Sequence, residues 1–153
     1  MNEQFPSLII LVDDDPDDRL LFKDAIGEIN MNIAVHTLEG GVELMNYLKE
    51  KTNPLPDFIF LDLNMPRKNG FECLEEIRNE ERFSNLCVII YSTSTHFKDI
   101  LDTLNKGANL YFTKPYSFQE LVGRLGKIFN LNWEEFKPQP NLNNYVLSDG
   151  MGY

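Results

Sequence analysis

The sequence predicts an α/β fold, a doubly wound parallel sheet of five strands with five helices, on three observations. Five short apolar, β-rich runs alternate along the chain with segments of helical apolar period, the pattern of strands joined by crossover helices. The run Phe58 to Leu61 is continuously apolar rather than alternating, so it suits a strand buried on both faces, as in parallel sheets. Several of the runs end abruptly in carboxylate, hydroxyl or ammonium residues, which belong at a sheet edge rather than in a core.

The first strand spans 8–12 and stops at Asp13-Asp14-Asp15, and Pro16 suits the first position of the helix that follows. In that helix Phe22, Ala25, Ile26 and Ile29 share one face, with Asp17 and Asp18 favourably near its N-terminus. A second strand at 33–37 leads through Gly40-Gly41 into a helix carrying Val42, Met45 and Leu48, which Asn53-Pro54-Leu55-Pro56 ends. The central strand, Phe58-Ile59-Phe60-Leu61, runs into Asp62-Leu63-Asn64-Met65-Pro66. Pro66 and Asn69-Gly70 forbid its continuation, placing Asp62 at the strand's carboxyl end, where open α/β sheets bind ligands.

A third helix starts near Gly70, with Phe71, Leu74 and Ile77 as its apolar stripe and Glu72, Glu75, Glu76 and Arg78 as a solvated face. The fourth strand, 87–91, enters Ser92-Thr93-Ser94-Thr95. Phe97, Ile100, Leu101 and Leu104 line a fourth helix, and Gly107 suits its stop. The fifth strand, 110–113, is cut by Lys114-Pro115. Ser117 with Glu120 then offers a capping box for a fifth helix that carries Phe118, Leu121, Val122, Leu125 and Phe129. Beyond Asn130 the periodicity fades. Residues 131–153 read as a loosely ordered tail after a domain at 5–130, with Trp133, Phe136, Tyr145 and Tyr153 as residues able to dock.

Composition narrows the function. The 153 residues suit one domain, and 24 acidic against 14 basic residues give a formal charge of −10. That charge opposes direct binding to nucleic acid or anionic lipid. No apolar run approaches the about 20 residues needed to span a bilayer, and no signal peptide is evident, so a cytoplasmic protein is expected. Cys73 and Cys87 sit in apolar patterns without metal spacing and read as buried free thiols in a reducing compartment.

The predicted sheet gathers Asp13, Asp14, Asp62, Ser92, Thr93 and Lys114 at one edge. Helix N-terminal preference explains Asp15, Asp17 and Asp18, but not acids at separate strand ends. Carboxylates so close repel unless cations offset them. Lys114 and a divalent ion would do so, and a set of oxygen ligands alone suits Mg2+ better than zinc. A carboxylate beside Mg2+ can attack phosphorus to form an acyl phosphate, with Asp62 as nucleophile, Ser92 donating to a phosphoryl oxygen and Lys114 as a point charge.

Together, Val12-Asp13-Asp14, Asp62 with Met65-Pro66 and Gly70, Ser92-Thr93 and Lys114-Pro115 closely resemble the receiver (CheY-like) domain of two-component response regulators, in its single-domain type. The resemblance covers about residues 5–130. It implies a flavodoxin-like strand order 2-1-3-4-5 and phosphorylation of Asp62 by a sensor histidine kinase or histidine phosphotransfer protein. It further implies Asp14 as a metal ligand assisted by Asp13, a backbone carbonyl of Asn64 on the metal, and Ser92 with Tyr111 as the switch pair. Thr93 stands where the family usually has Ala or Gly, so its bulk is expected to narrow access to Asp62. With no attached output domain expected, signalling would pass through protein contacts on the face of the fourth helix, fifth strand and fifth helix, or by relay of the phosphoryl group. A homodimer is left open.

Three rival readings stand beside this one. A haloacid-dehalogenase-type phosphatase also uses an aspartyl nucleophile, but it places a second Asp two residues later, where this chain has Asn64. A flavodoxin-like carrier needs a phosphate-cradling loop where Asp13 to Asp15 would repel the flavin phosphate. An interaction module that is never phosphorylated would not need the full Asp/Asp/Asp/Ser/Lys set. The expected chemistry is therefore no turnover enzyme, at most catalysis of the chain's own aspartyl phosphorylation and dephosphorylation.

Overall fold

A computed structural model describes residues 5–137 and 139–147. The elements run β1 (Leu8–Val12), α1 (Pro16–Ile29), β2 (Ala34–Leu38), α2 (Gly41–Lys49), β3 (Phe58–Leu61), α3 (Gly70–Asn79), β4 (Val88–Ser92), α4 (Phe97–Asn105), β5 (Leu110–Thr113), α5 (Phe118–Phe129), α6 (Leu142–Tyr145) and β6 (Val146–Leu147). Two 3-10 turns, Glu81–Phe83 and Trp133–Phe136, precede β4 and α6.

The sheet is parallel throughout, in the order β2-β1-β3-β4-β5-β6. Alternate strand residues feed two cores. Ile10, Val12, Ile59, Leu61, Val88 and Ile90 pack with Leu44, Leu48, Leu74, Ile77 and Leu104 on one face. Ile9, Leu11, Phe60, Ile89, Tyr91 and Phe112 pack with Phe22, Ile26, Leu121, Leu125 and Ile128 on the other. This double burial is why the strands read as unbroken apolar runs.

Among the described residues the expected five strands and five helices are corrected to six of each, and so is the expected loose tail as far as it is described. Residues 131–137 and 139–147 turn back along β5, and β6 pairs Val146 with Tyr111 and Leu147 with Phe112. Phe136, Tyr145 and Leu147 are buried. Three apolar side chains suffice to hold a segment with no periodic signal of its own, because the free edge of β5 supplies both backbone partners and a surface to cover. Tyr153 lies outside the described residues.

Smaller differences are local. β2 and β4 each lie one residue later than expected. Ser117 caps α5 by accepting the Glu120 N–H, while the reciprocal capping box belongs to α3, between Asn69 and Glu72. Gly107, at φ 104, ends α4 as expected. Both cysteines are free and buried, and burial pushes each thiol up to about 12. Among the described residues no helix is long and apolar enough to cross a membrane.

Candidate functional site

The strand order reverses between β1 and β3, so their carboxyl ends open onto one crevice, the topological switch point of a doubly wound sheet. Val12 pairs with Leu61, and the next residue on each strand is Asp13 and Asp62. Register alone thus brings two carboxylates side by side. Asp14 follows on the exposed rim, and carboxylate oxygens of Asp13, Asp14 and Asp62 all lie within 4.8 Å of one another.

Lys114 reaches the cluster from the end of β5. Its Nζ donates to Asp13 Oδ2 and Asp18 Oδ2, each at 2.8 Å, and stands 3.7 Å from Asp62 Oδ2. Burial alone would lower this ammonium, but the two carboxylate bonds and the nearby Asp62 hold it above the ordinary lysine value. Asp13 is fully buried and raised chiefly by that burial, with Lys114 pulling the other way. Its Oδ1 accepts the Asp15 N–H at 3.0 Å, and Arg19 Nη1 donates to its carbonyl oxygen at 2.8 Å.

Asp62 is pushed up to about 6, first by burial and then by Asp13, against the lowering effect of Lys114. The Leu63 N–H donates to Asp62 Oδ1 at 2.8 Å and fixes the carboxylate, leaving Oδ2 as the oxygen nearer the lysine. The loop that follows is tight. Arg67 sits at φ 67, and a Cβ on Gly70 would run into the carbonyl oxygen of Asp62. Asn64 is exposed in this loop, two residues beyond Asp62.

Ser92 is buried at the end of β4, and its hydroxyl oxygen accepts the Ser94 N–H at 3.1 Å while its carbonyl accepts the Lys114 N–H at 2.8 Å. Thr93 is exposed on the adjoining loop. Tyr111 is fully buried and donates to the Ser94 carbonyl at 2.8 Å. The sequence-predicted residues Asp13, Asp14, Asp62 and Lys114 therefore form one cluster, with Ser92 and Tyr111 joined to each other through Ser94.

Two contributors were not singled out by sequence. Asp18 reads as a helix N-terminal acid, and only the fold shows it one α-helical turn beyond Asp14, bonded to Lys114. Ser94 looks like one more hydroxyl in a polar run, yet it links the end of β4 to Tyr111. A lysine that must sit among acids in a crevice is the one sequence signal that a further carboxylate would be near.

The residues fit a divalent cation. The donors are hard oxygens only, and one ammonium, Lys114, meets the carboxylates of Asp13, Asp18 and Asp62 while Asp14 stands beside Asp13 and Asp62, which leaves negative charge uncompensated.

Residues 9–126 match the family model described as the response regulator receiver domain. The nitrate/nitrite response regulator protein NarL of Escherichia coli K12 is 33% identical over 128 residues, 82% of this chain and 56% of NarL, so the chain spans little more than half the length of that relative. The phosphorylated cyanobacterial phytochrome response regulator RcpA aligns at TM-score 0.74 and 32% identity, over 85% of this chain and 92% of that one. The Mn(2+)-bound form of response regulator Rcp1 aligns at TM-score 0.74 and 27% identity, over 89% and 100%. With the matched span running from β1 into α5 and enclosing every member of the acidic cluster, the chain belongs to the response regulator receiver domain family.

Proposed function

We propose that this chain is a phosphorylation-dependent signalling switch that accepts a phosphoryl group on Asp62 from a sensor histidine kinase or histidine phosphotransfer protein. The observation that carries the reading is the juxtaposition of Asp62 with Asp13, Asp14 and Lys114 at the β1–β3 switch point. A receiver family member without this cluster would serve only as a binding surface.

Asp13, Asp14 and Asp62, with the backbone carbonyl of Asn64, would hold Mg2+. When bound, the cation neutralises charge on the phosphoryl oxygens. Asp62, held by the Leu63 N–H, attacks phosphorus through its carboxylate, an O–P bond forms, and the P–N bond to the donor imidazole breaks with the electron pair leaving on nitrogen. Lys114, already within 3.7 Å, follows the charge as it moves outward on to the phosphoryl group. Ser92 supplies a hydroxyl donor once it exchanges its present contact with Ser94 for a phosphoryl oxygen. Thr93, on the exposed rim, narrows the approach of water and small donors.

The chain's own chemistry is limited to forming and losing this acyl phosphate. Output passes through the α4–β5–α5 face, on whose edge β6 lies, to a protein partner or by phosphoryl relay, and a homodimer is one form that such a contact can take. The buried free thiols fit a cytoplasmic setting. Incubation with a His-phosphorylated donor protein should label the parent only when Mg2+ is present. Full labelling of Asp62→Asn, or full labelling of the parent in a chelator, would refute the reading.

A further inference from the structure

Residues 139–147 touch Tyr111 of the switch pair as well as covering the sheet edge. Tyr145 is fully buried, its hydroxyl donates to Thr103 Oγ1 of α4 at 2.7 Å, and its ring meets that of Tyr111 edge-on with centroids 6.1 Å apart. Tyr111 in turn donates to the carbonyl of Ser94, whose N–H bonds to the Ser92 hydroxyl. A continuous chain of contacts therefore runs from Ser92 at the end of β4, through Ser94, Tyr111 and Tyr145, to Thr103 in the second turn of α4. The segment is held in register by β6 on β5, and Gln139 Nε2 donates to the Leu104 carbonyl at 2.8 Å near the end of α4. Just before it, Asn109 Nδ2 donates to the Phe136 carbonyl at 3.1 Å.

Tyr111 sits on β5, the strand that β6 covers, and Tyr145 occupies space beside its ring. An outward-turned Tyr111 would need that space, so the docked segment and the inward Tyr111 stabilise one another. We propose that Tyr145 is a positioning residue for the switch: the docked segment holds Tyr111 inward, where its ring can fill the space that Ser92 vacates on moving toward a phosphoryl group on Asp62, so docking and phosphorylation strengthen each other. The inference rests on the function proposed above. Its sign follows from both events selecting the same Tyr111 position, and its reciprocity from linkage: the factor by which docking tightens the site is the factor by which the occupied site tightens docking.

The test uses the full chain with Mg2+ and beryllofluoride, a non-transferable phosphoryl mimic, and reads two quantities. The first is beryllofluoride affinity in the parent, Tyr145→Ala and Tyr145→Phe. Tyr145→Ala should bind at least about fivefold more weakly, the low end of ordinary coupling between sites, with Tyr145→Phe, which keeps the ring, between it and the parent. The second needs no variant: amide exchange at Leu147 in the parent should slow at least about fivefold when beryllofluoride binds. A purely structural Tyr145 would lower the melting temperature of Tyr145→Ala without moving either quantity. Parent affinity retained in Tyr145→Ala to within less than fivefold, or Leu147 exchange unchanged in the parent, overturns the coupling. If the parent does not bind beryllofluoride at all, the Asp62 site itself is misassigned, which distinguishes the failure of the earlier reading from failure of this one.

Discussion

Asp62→Asn should make the metal-free protein more stable at neutral pH while abolishing its function. Burial and the neighbouring Asp13 push Asp62 up to about 6, so the folded state holds its proton more tightly than the unfolded chain, where an aspartate titrates near 3.9. The sign follows from linkage. A raised carboxyl costs nothing below the unfolded value, its cost grows as pH rises between the two, and it is fully present above the folded one. The full cost is about 3 kcal/mol. That shift already contains the attraction of Lys114, so with Asn standing in for the protonated acid the net gain should be about 2–3 kcal/mol at pH 7.5, or roughly 4–12 °C in melting temperature for a chain of this size. By pH 5 the gain should fall to roughly half. The assay is thermal or urea unfolding of parent and variant in a chelator at both pH values. Equal or lower stability of Asp62→Asn at pH 7.5, or a gain that does not shrink at pH 5, would refute the electrostatic account of the site.

Lys114→Met should destabilise by about 3 kcal/mol at pH 7.5, because it strips Asp13 and Asp18 of their shared cation, and by less at pH 5, where the carboxyls take up protons; urea unfolding at the two pH values checks this. Gly70→Ala should cost about 2–4 kcal/mol and weaken Mg2+ binding as well, since the new methyl group must displace the backbone of Asp62 and Leu63, which calorimetric titration would detect. Leu147→Ala should cost about 2–3 kcal/mol in urea unfolding, as expected of a buried leucine; a loss under about 0.5 kcal/mol would mean that β6 is not packed in solution.

Strands β1, β3, β4 and β5 were legible because each is buried on both faces and must be largely apolar, a constraint that local composition records directly, whereas β2 lies at the sheet edge with no buried residue and was legible only from its place between two helices. The acidic cluster was legible for a related reason: Asp13 and Asp62 interrupt those apolar runs, and only a sheet edge with a function tolerates the interruption. β6 was not legible, because two residues have no period, and what fixes Val146 and Leu147 is the free edge of β5 more than 30 residues earlier. Tyr145 was legible as a residue able to dock, but not where, because its partners Thr103 and Tyr111 lie on two other elements. Asp18 stands in the first turn of α1 as expected, but its bond to Lys114 was not legible. An acid at a helix N-terminus is well explained locally, which hides a second bond that depends on where β5 places Lys114.

The central claim, that Asp62 carries the phosphoryl group, is tested most directly by locating the modified residue. After phosphotransfer in Mg2+, reduction with borohydride converts an aspartyl phosphate to homoserine, which peptide mass spectrometry can place. The account predicts homoserine at position 62 alone in the parent, and none in chelator. Homoserine at position 13 or 14 in its place, or a hydroxylamine-resistant phosphate ester on Ser92 or Thr93, would contradict it.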